Sequence, residues 1–312
     1  MSEVANNYVA ICTYQNLLAL AKEQLWVDSE QLELTNSQYE AGLVDESYVL
    51  NILATIDQDK ATIFEQESIL KQTIYRLAVL LGENPEELVQ DFEERRPIPV
   101  AFGKVPPGLP SELLRRRPDI RSAERQIAAA TEQIGVAVAD LFPKVYLTAT
   151  NLFAANPSGS NVGWGGAKLH QLFHPKSFTW SVGPAFSWPF LDFGKRRAIV
   201  KAQTSVQKQT LINYEKTVIT ALEEVESALV ALSKQELRFS TFAHQAKVDR
   251  RALDLAWDRY DAGLTDYQEV LNAWKTLIQS EATLAQNKQA LTSQFIAVHK
   301  ALGGDWECSS MQ

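Results

Sequence analysis

The sequence predicts a mainly α-helical fold with a small β part: long antiparallel helical hairpins and one β-hairpin. Three observations carry that prediction. A turn-bearing stretch occurs twice at a fixed separation, apolar residues on either side of each copy step by threes and fours, and one segment alternates aromatic with small polar residues.

The repeat pairs Tyr39-Glu40-Ala41-Gly42-Leu43-Val44-Asp45 with Tyr260-Asp261-Ala262-Gly263-Leu264-Thr265-Asp266. Val49-Leu50-Asn51 follows the first copy and Val270-Leu271-Asn272 the second. The separation is 221 residues (260 − 39), and it also joins Thr55 to Thr276, Leu70 to Leu291 and Gly82 to Gly303. A period this long marks a duplicated half-molecule and not a short solenoid unit. Each copy is read as the tip of a helical hairpin.

Composition narrows the classes. Of 312 residues, 46% are hydrophobic and 22% charged, which excludes a disordered chain. Gly and Pro concentrate between positions 82 and 194, leaving the rest with the Gln, Glu, Ala and Leu content of long helices. A net charge of −8 argues against a nucleic-acid partner. No run of eighteen apolar residues offers a transmembrane helix, although barrel strands carry a weaker signal.

Taken in order, Glu3 to about Ser37 reads as helix. Gly42 supplies the positive φ that reverses the chain, and Asp45 stands where it can cap the next helix. In that helix Ile63, Glu67, Leu70, Ile74, Leu77 and Leu81 form a heptad seam ended by Gly82. Pro85, Pro97, Pro99, Pro106, Pro107 and Pro110 then predict an extended connector unable to form a helix interior. Ser111 to Arg116 reads as one helical turn, with Arg115-Arg116-Arg117 a solvated helix end. Pro118 opens a helix running to about Asp140.

The β part follows. Lys144 to Phe153 places Val145, Leu147 and Ala149 on one face. Ser177 to Phe190 alternates Phe178, Trp180, Val182, Pro184, Phe186, Trp188 and Phe190 against small residues, with Pro189 read as a bend. Between them lies a loop of turn formers, Asn156 to Ser160 and Gly163 to Gly166. A soluble sheet would bury the aromatic face in a core, and a membrane barrel would turn it to lipid. A lone hairpin is marginal, so partner strands must come from elsewhere. From Arg197 to Tyr260 a helical pattern runs unbroken, and from Lys195 it would extend roughly 100 Å at 1.5 Å per residue. Its seam is Leu211, Tyr214, Val218, Leu222, Val225, Leu229 and Leu232. The returning helix carries Trp274, Leu277, Leu284, Leu291, Phe295, Val298 and Leu302, interrupted by Glu281 and Lys288.

Pro110-Ser111-Glu112-Leu113-Leu114-Arg115-Arg116-Arg117-Pro118-Asp119-Ile120-Arg121-Ser122-Ala123-Glu124 resembles the signature of the TolC-like outer membrane factors, in particular the lipoprotein branch of multidrug efflux systems. Ile134-Gly135-Val136-Ala137, Leu141-Phe142-Pro143, Val182-Gly183-Pro184 through Ser187-Trp188-Pro189 to Asp192-Phe193-Gly194, and both Tyr-x-x-Gly tips follow the same branch in order. The resemblance implies a homotrimer whose helices wall a periplasmic tunnel and whose β-hairpins enter an outer-membrane barrel. It implies a passive duct that takes substrates from an inner-membrane pump through a periplasmic adaptor, with outer-membrane lipid around the barrel. The segments expected are 1–82 (first-repeat hairpin), 83–117 (equatorial connector), 118–140 (helix), 141–192 (β-hairpin) and 193–312 (second-repeat hairpin and tail).

By the same resemblance, Ala41, Gly42, Leu43, Ala262, Gly263 and Leu264 are adaptor-contact tips. Asp266, Glu269, Asn272 and Asn51 belong to the periplasmic aperture. Phe178, Trp180, Val182, Phe186 and Trp188 face lipid. Asn272 replaces the family's frequent aspartate, which leaves Glu269 to supply an aperture charge. Met1 stands where the second half has Leu222, so two strands are expected where the family has four. No signal peptide or lipidation cysteine is read, since the residues before Cys12 lack a basic start and an apolar run. Alone, this chain is expected neither to be exported nor to close a barrel.

No catalysis is indicated, and no cofactor or metal is expected. His170 and His174 sit in a polar loop, while Asp57, Asp59, Glu223 and Glu224 read as single surface carboxylates. The alternatives are a soluble coiled-coil scaffold whose β-hairpin is a docking module, and a non-functional truncated remnant.

Overall fold

A computed structural model of the chain describes residues 1–92, 94–100, 117–153, 178–188 and 190–304. The expectations for 111–116, for the loop over 156–166, and for His170, His174 and Pro189 lie outside the described residues. So do those for the side chains of Ala149, Phe178 and Trp180. In order, the elements are α1 (Ser2–Glu40), α2 (Glu46–Leu81), α3 (Pro85–Asp91), α4 (Pro118–Ala139), β1 (Lys144–Phe153), β2 (Phe178–Ser187), α5 (Lys195–Asp261) and α6 (Tyr267–Ala301). The fold is mostly helical, with one two-stranded antiparallel sheet. Its residues group into two compact units, Met1–Pro118 with Ile219–Gln312, and Asp119–Val218.

In the first unit the seams do what their spacing predicts over most of their length. Ile74 and Leu77 of α2 bury against Ile11 of α1, with Leu70 beside them, and Leu88 and Phe92 close the cluster. Further along α1, Leu20 and Val27 pack on Leu271 and Ile278 of α6. On the other flank of α6, Leu291 and Val298 meet Leu232 of α5. Fully burying one such leucine stabilises by about 1.5–3 kcal/mol, more than any exposed ion pair offers. Three seam residues of the chain stay exposed, Leu81 of α2 and Leu211 and Leu222 of α5. Glu281 and Lys288 do sit on a wet side, where Glu281 pairs with Arg250 and Lys288 lines an open cavity.

Two expectations for the connector are corrected. Residues 85–91 are helical, not extended. Asn84 caps α3 by accepting from the Glu86 N–H, and Pro85 occupies the first turn, where its missing donor costs nothing. Nor is Arg117 a solvated end. It is 8% exposed, donating to the Ala301 carbonyl at 3.0 Å and to Glu224 at 2.7 Å. Glu224 is therefore a partnered carboxylate, not a lone surface one.

The stretch after α3 has little secondary structure of its own, and α1 holds it. The Gln15 side chain donates to the carbonyls of Phe92 (2.7 Å) and Glu94 (3.0 Å) and accepts from the Arg96 N–H (3.0 Å). Asn16 donates to the Arg96 carbonyl and accepts from Arg95. Cys12 is buried inside α1, and burial pushes its thiol above the usual range.

In the second unit β1 and β2 pair along their whole length, Lys144 opposite Ser187 through Phe153 opposite Phe178. Pro184 lies within β2, opposite Leu147. An edge strand tolerates it, since a proline with its missing donor turned outward costs no ladder bond. The strand stops at Ser187, so Trp188 and Phe190 lie beyond the ladder and the alternation read through to Phe190 is too long. Asp192 starts α5 by accepting from the Gly194 and Arg196 N–H groups, which holds Phe193 at φ +48°.

Candidate functional site

The two hairpin tips are the same piece of backbone made twice. Gly42 turns to φ +73° and Gly263 to φ +69°, a region closed to most side-chain-bearing residues. Each glycine N–H donates three residues back, Gly42 to Tyr39 at 2.9 Å and Gly263 to Tyr260 at 2.8 Å. Each following leucine N–H reaches five back, Leu43 to Gln38 and Leu264 to Arg259, both at 2.9 Å. This is the Schellman closure, which satisfies carbonyls that a helix end leaves open. Asp45 and Asp266 then take matching extended conformations before α2 and α6. They differ in their side chains. Asp266 accepts from the Glu269 N–H at 3.1 Å, whereas Asp45 makes no capping bond.

Ala41, Gly42, Leu43, Ala262, Gly263 and Leu264 are all exposed. Each tip thus holds out one leucine, 75% exposed at Leu43 and 72% at Leu264. Asp266, Glu269 and Asn272 follow the second tip on the surface, and Asn51 is exposed on α2. Glu269, the charge expected at the aperture, has a partner. Arg259, ten residues back across the turn, donates to it at 2.9 Å. Asn272 accepts from Gln268 at 3.4 Å.

Behind the second tip runs a ladder of rings that spacing alone does not disclose. Trp26 of α1 lies 4.9 Å from Trp274 of α6, Trp274 6.5 Å from Trp257 of α5, Trp257 5.9 Å from Tyr267, and Tyr267 5.4 Å from Tyr260. The Trp274 indole donates to Glu23 at 2.8 Å. Burial first, and the neighbouring Glu30 charge next, push the Tyr267 phenol above its usual range. The usable signal was aromatic residues on both sides of the turn.

The β-hairpin supplies a second surface. The register sets Val145 opposite Phe186 and Leu147 opposite Pro184, with Val182 two residues before Pro184, so these residues share a face. Val145 is 73% exposed, Leu147 78% and Phe186 67%. Past the ladder, half-exposed Trp188 donates its indole N–H to the Leu141 carbonyl at 3.4 Å, and Phe190, Leu191 and Phe193 are exposed. Among the described residues no cluster of acidic, His and Cys side chains could hold a metal ion. No described helix is long and apolar enough to cross a membrane, which says nothing of a β-barrel.

Residues 109–304 match the family described as outer membrane efflux protein. The chain belongs to that family. It is 32% identical over 310 residues to the solvent efflux pump outer membrane protein SrpC of Pseudomonas putida, covering 99% of this chain and 63% of that protein. It is 30% identical to nodulation protein T of Rhizobium leguminosarum bv. viciae, covering 97% and 61%. Among solved structures, the outer-membrane channel OprN superposes with a TM-score of 0.76 at 33% identity, covering 98% of this chain and 66% of that one. The chain spans a little under two thirds of the length of these curated relatives. The first tip lies outside the family match, yet its backbone hydrogen bonds repeat those of the second. The Arg117-Pro118-Asp119 signature is a joint. Arg117 ties α5 to the end of α6, while Asp119 accepts from the Ile120 N–H at 2.8 Å.

Proposed function

We propose that this chain forms part of the wall of an outer-membrane efflux duct, its β-hairpin entering a barrel and its helical hairpins enclosing a periplasmic passage. One observation carries the reading: the apolar face built from Val145, Leu147, Val182, Pro184 and Phe186 is turned to the outside and large. In water a two-stranded hairpin with that face would be marginal, and its open edges would invite pairing. Lipid against the face, and strands from neighbouring chains on both edges, remove both problems. Membership of the outer membrane efflux family supports the same reading.

The assembly proposed is a homotrimer, passive and without a cofactor, working with a periplasmic adaptor and an inner-membrane pump. The adaptor would grip Ala41, Gly42, Leu43, Ala262, Gly263 and Leu264, whose protruding leucines give it two sockets of one shape. Asp266, Glu269, Asn272 and Asn51 would line the periplasmic aperture. Arg259 beside Glu269 makes that aperture less acidic than its carboxylates alone suggest. Phe178, Trp180, Val182, Phe186 and Trp188 would meet lipid, with Phe190, Leu191 and Phe193 at its interfacial belt.

Brominated lipids provide the test. With the chain reconstituted in vesicles, fluorescence from Trp180 and Trp188 should be quenched by bromine in the acyl chains. The tunnel-side Trp26, Trp257 and Trp274 should not respond. Equal quenching of all five, or none at Trp180 and Trp188, would leave the soluble scaffold as the better reading.

A further inference from the structure

About twenty ångströms behind the first tip, at 1.5 Å per residue, three helices bring together two carboxyl groups and one ammonium. Asp28 of α1 is 1% exposed in its side chain and pairs with Lys275 of α6, which also bonds Gln31. Gln24 donates to the other Asp28 oxygen at 2.6 Å. From α2, Asp59 lines the same cavity as Gln24 and Lys275, and its carboxyl interacts with that of Asp28. Asp28 Oδ1 and Asp59 Oδ2 are both closed to water, and Asp59 Oδ2 meets no hydrogen-bond donor. Two carboxylates cannot hydrogen-bond each other unless one of them keeps its proton. A single cation balances a single negative charge, so the neutral arrangement of this trio contains one shared proton. The sequence reading of Asp59 as a lone surface carboxylate is therefore corrected.

We propose that Asp28 and Asp59 form a single-proton site that fastens α2 to α1 and α6, and that loss of the proton loosens α2. With the proton in place, Asp59 donates its O–H to Asp28, and Lys275 neutralises the pair. When the proton passes to water, two carboxylates face each other across the α1–α2 seam with one ammonium between them. A cavity of about 420 Å³ borders the site, lined by Gln24, Asp59, Gln66 and Lys275, and gives water a way in. Two further ion pairs lie on these helices, Lys22 of α1 with Glu67 of α2 at 3.3 Å and Lys60 with Asp57 on α2 at 3.2 Å, while the Glu30 charge of α1 acts on Tyr267. Glu23 accepts from Trp274, which leaves Lys275 as the α6 charge in the trio. In the second repeat, 221 residues on, Asp249 and Ser280 stand in place of the two aspartates, so the pair belongs to the first repeat.

The direction of the pH effect follows. Burial first, then the hydrogen bond and charge of Asp28, raise the Asp59 carboxyl to about 7. A carboxyl raised in the folded chain contributes stability that is whole below its unfolded value near 3.8 and lost as pH climbs through about 7. Burial would raise Asp28 as well, but its bonds to Lys275, Gln24 and Asp59 hold it below the usual range, so its own contribution fails only on acidification. The fastening is firmest in mild acid.

Hydrogen exchange on the full chain tests this. After correction for intrinsic rates, protection of the α2 amides from Ile56 to Ile63 should fall by up to about tenfold per pH unit between pH 5 and 7 and then level off. Asp59→Asn, whose amide can donate to Asp28 without titrating, should flatten that slope. A flat parent profile, or an unchanged slope in Asp59→Asn, overturns the proposal. Infrared difference spectra of the parent between pH 6 and 8 need no variant. They should show loss of a protonated-carboxyl band, and its absence would equally overturn the site.

Discussion

Arg117 Nη2 lies 2.7 Å from Glu224 Oε2, a contact between residues 107 apart in sequence. The same guanidinium bonds the carbonyl of Ala301, the last residue of α6. One side chain from the Arg-Pro-Asp signature thus closes the far end of the second-repeat hairpin, opposite its tip.

Arg117→Ala should cost about 2–3 kcal/mol, because it strands a carbonyl and a carboxylate that folding has already taken partly out of water. Glu224→Gln should cost no more than about 1 kcal/mol, since that carboxylate is half exposed. Denaturant midpoints of the two variants should separate in that order.

Gly263→Ala and Gly42→Ala should each cost about 1 kcal/mol, locally. A methyl group at either position meets nothing within 4 Å, so the penalty comes from the backbone conformation alone. Faster hydrogen exchange should appear at Leu264 or Leu43, with the helix interiors unchanged.

Lys275→Met should weaken the chain by about 3–5 kcal/mol, because it leaves Asp28 buried without its cation. The acid response should change sign. In the parent, Asp28 is held below its usual value, so stability is lost as pH falls below about 3.8. With methionine, burial dominates and protonation helps, so taking the variant from pH 4 to 3 should raise its denaturant midpoint.

Leu147→Lys distinguishes lipid from water at the β-face. Against lipid the charge should cost about 2–4 kcal/mol near mid-bilayer and reduce insertion into vesicles. Against water it should be neutral or improve solubility, since Leu147 is already exposed.

Much of this architecture was legible because its causes are local or periodic. The duplicated Gly42 and Gly263 foretold two turns that agree down to their backbone hydrogen bonds. The three-four stepping of Leu291 and Val298 foretold the buried side of α6. Family membership was legible from the segment around Pro118. What escaped depended on partners distant in sequence or on how helices are rotated about their axes. Arg117 reads as one more surface charge until Glu224 and Ala301 are beside it. Asp59 looks solvated until α1 brings Asp28 against it. The partner of Glu269, Arg259, lies across the turn, where helical spacing does not point. The α3 error was of another kind. Asn84-Pro85-Glu86-Glu87 carries a cap, a first-turn proline and acidic first-turn residues, and Pro85 starts a helix for the same reason that Pro118 does.

The amide side chains of Gln15 and Asn16 act as a template for the described stretch from Phe92 to Arg96, gripping its peptide groups and, at Arg95, a guanidinium. The path of the chain there should therefore depend on these two amides, with Phe92 fixed separately by the core it closes. A change at Gln15 alone would let the path go.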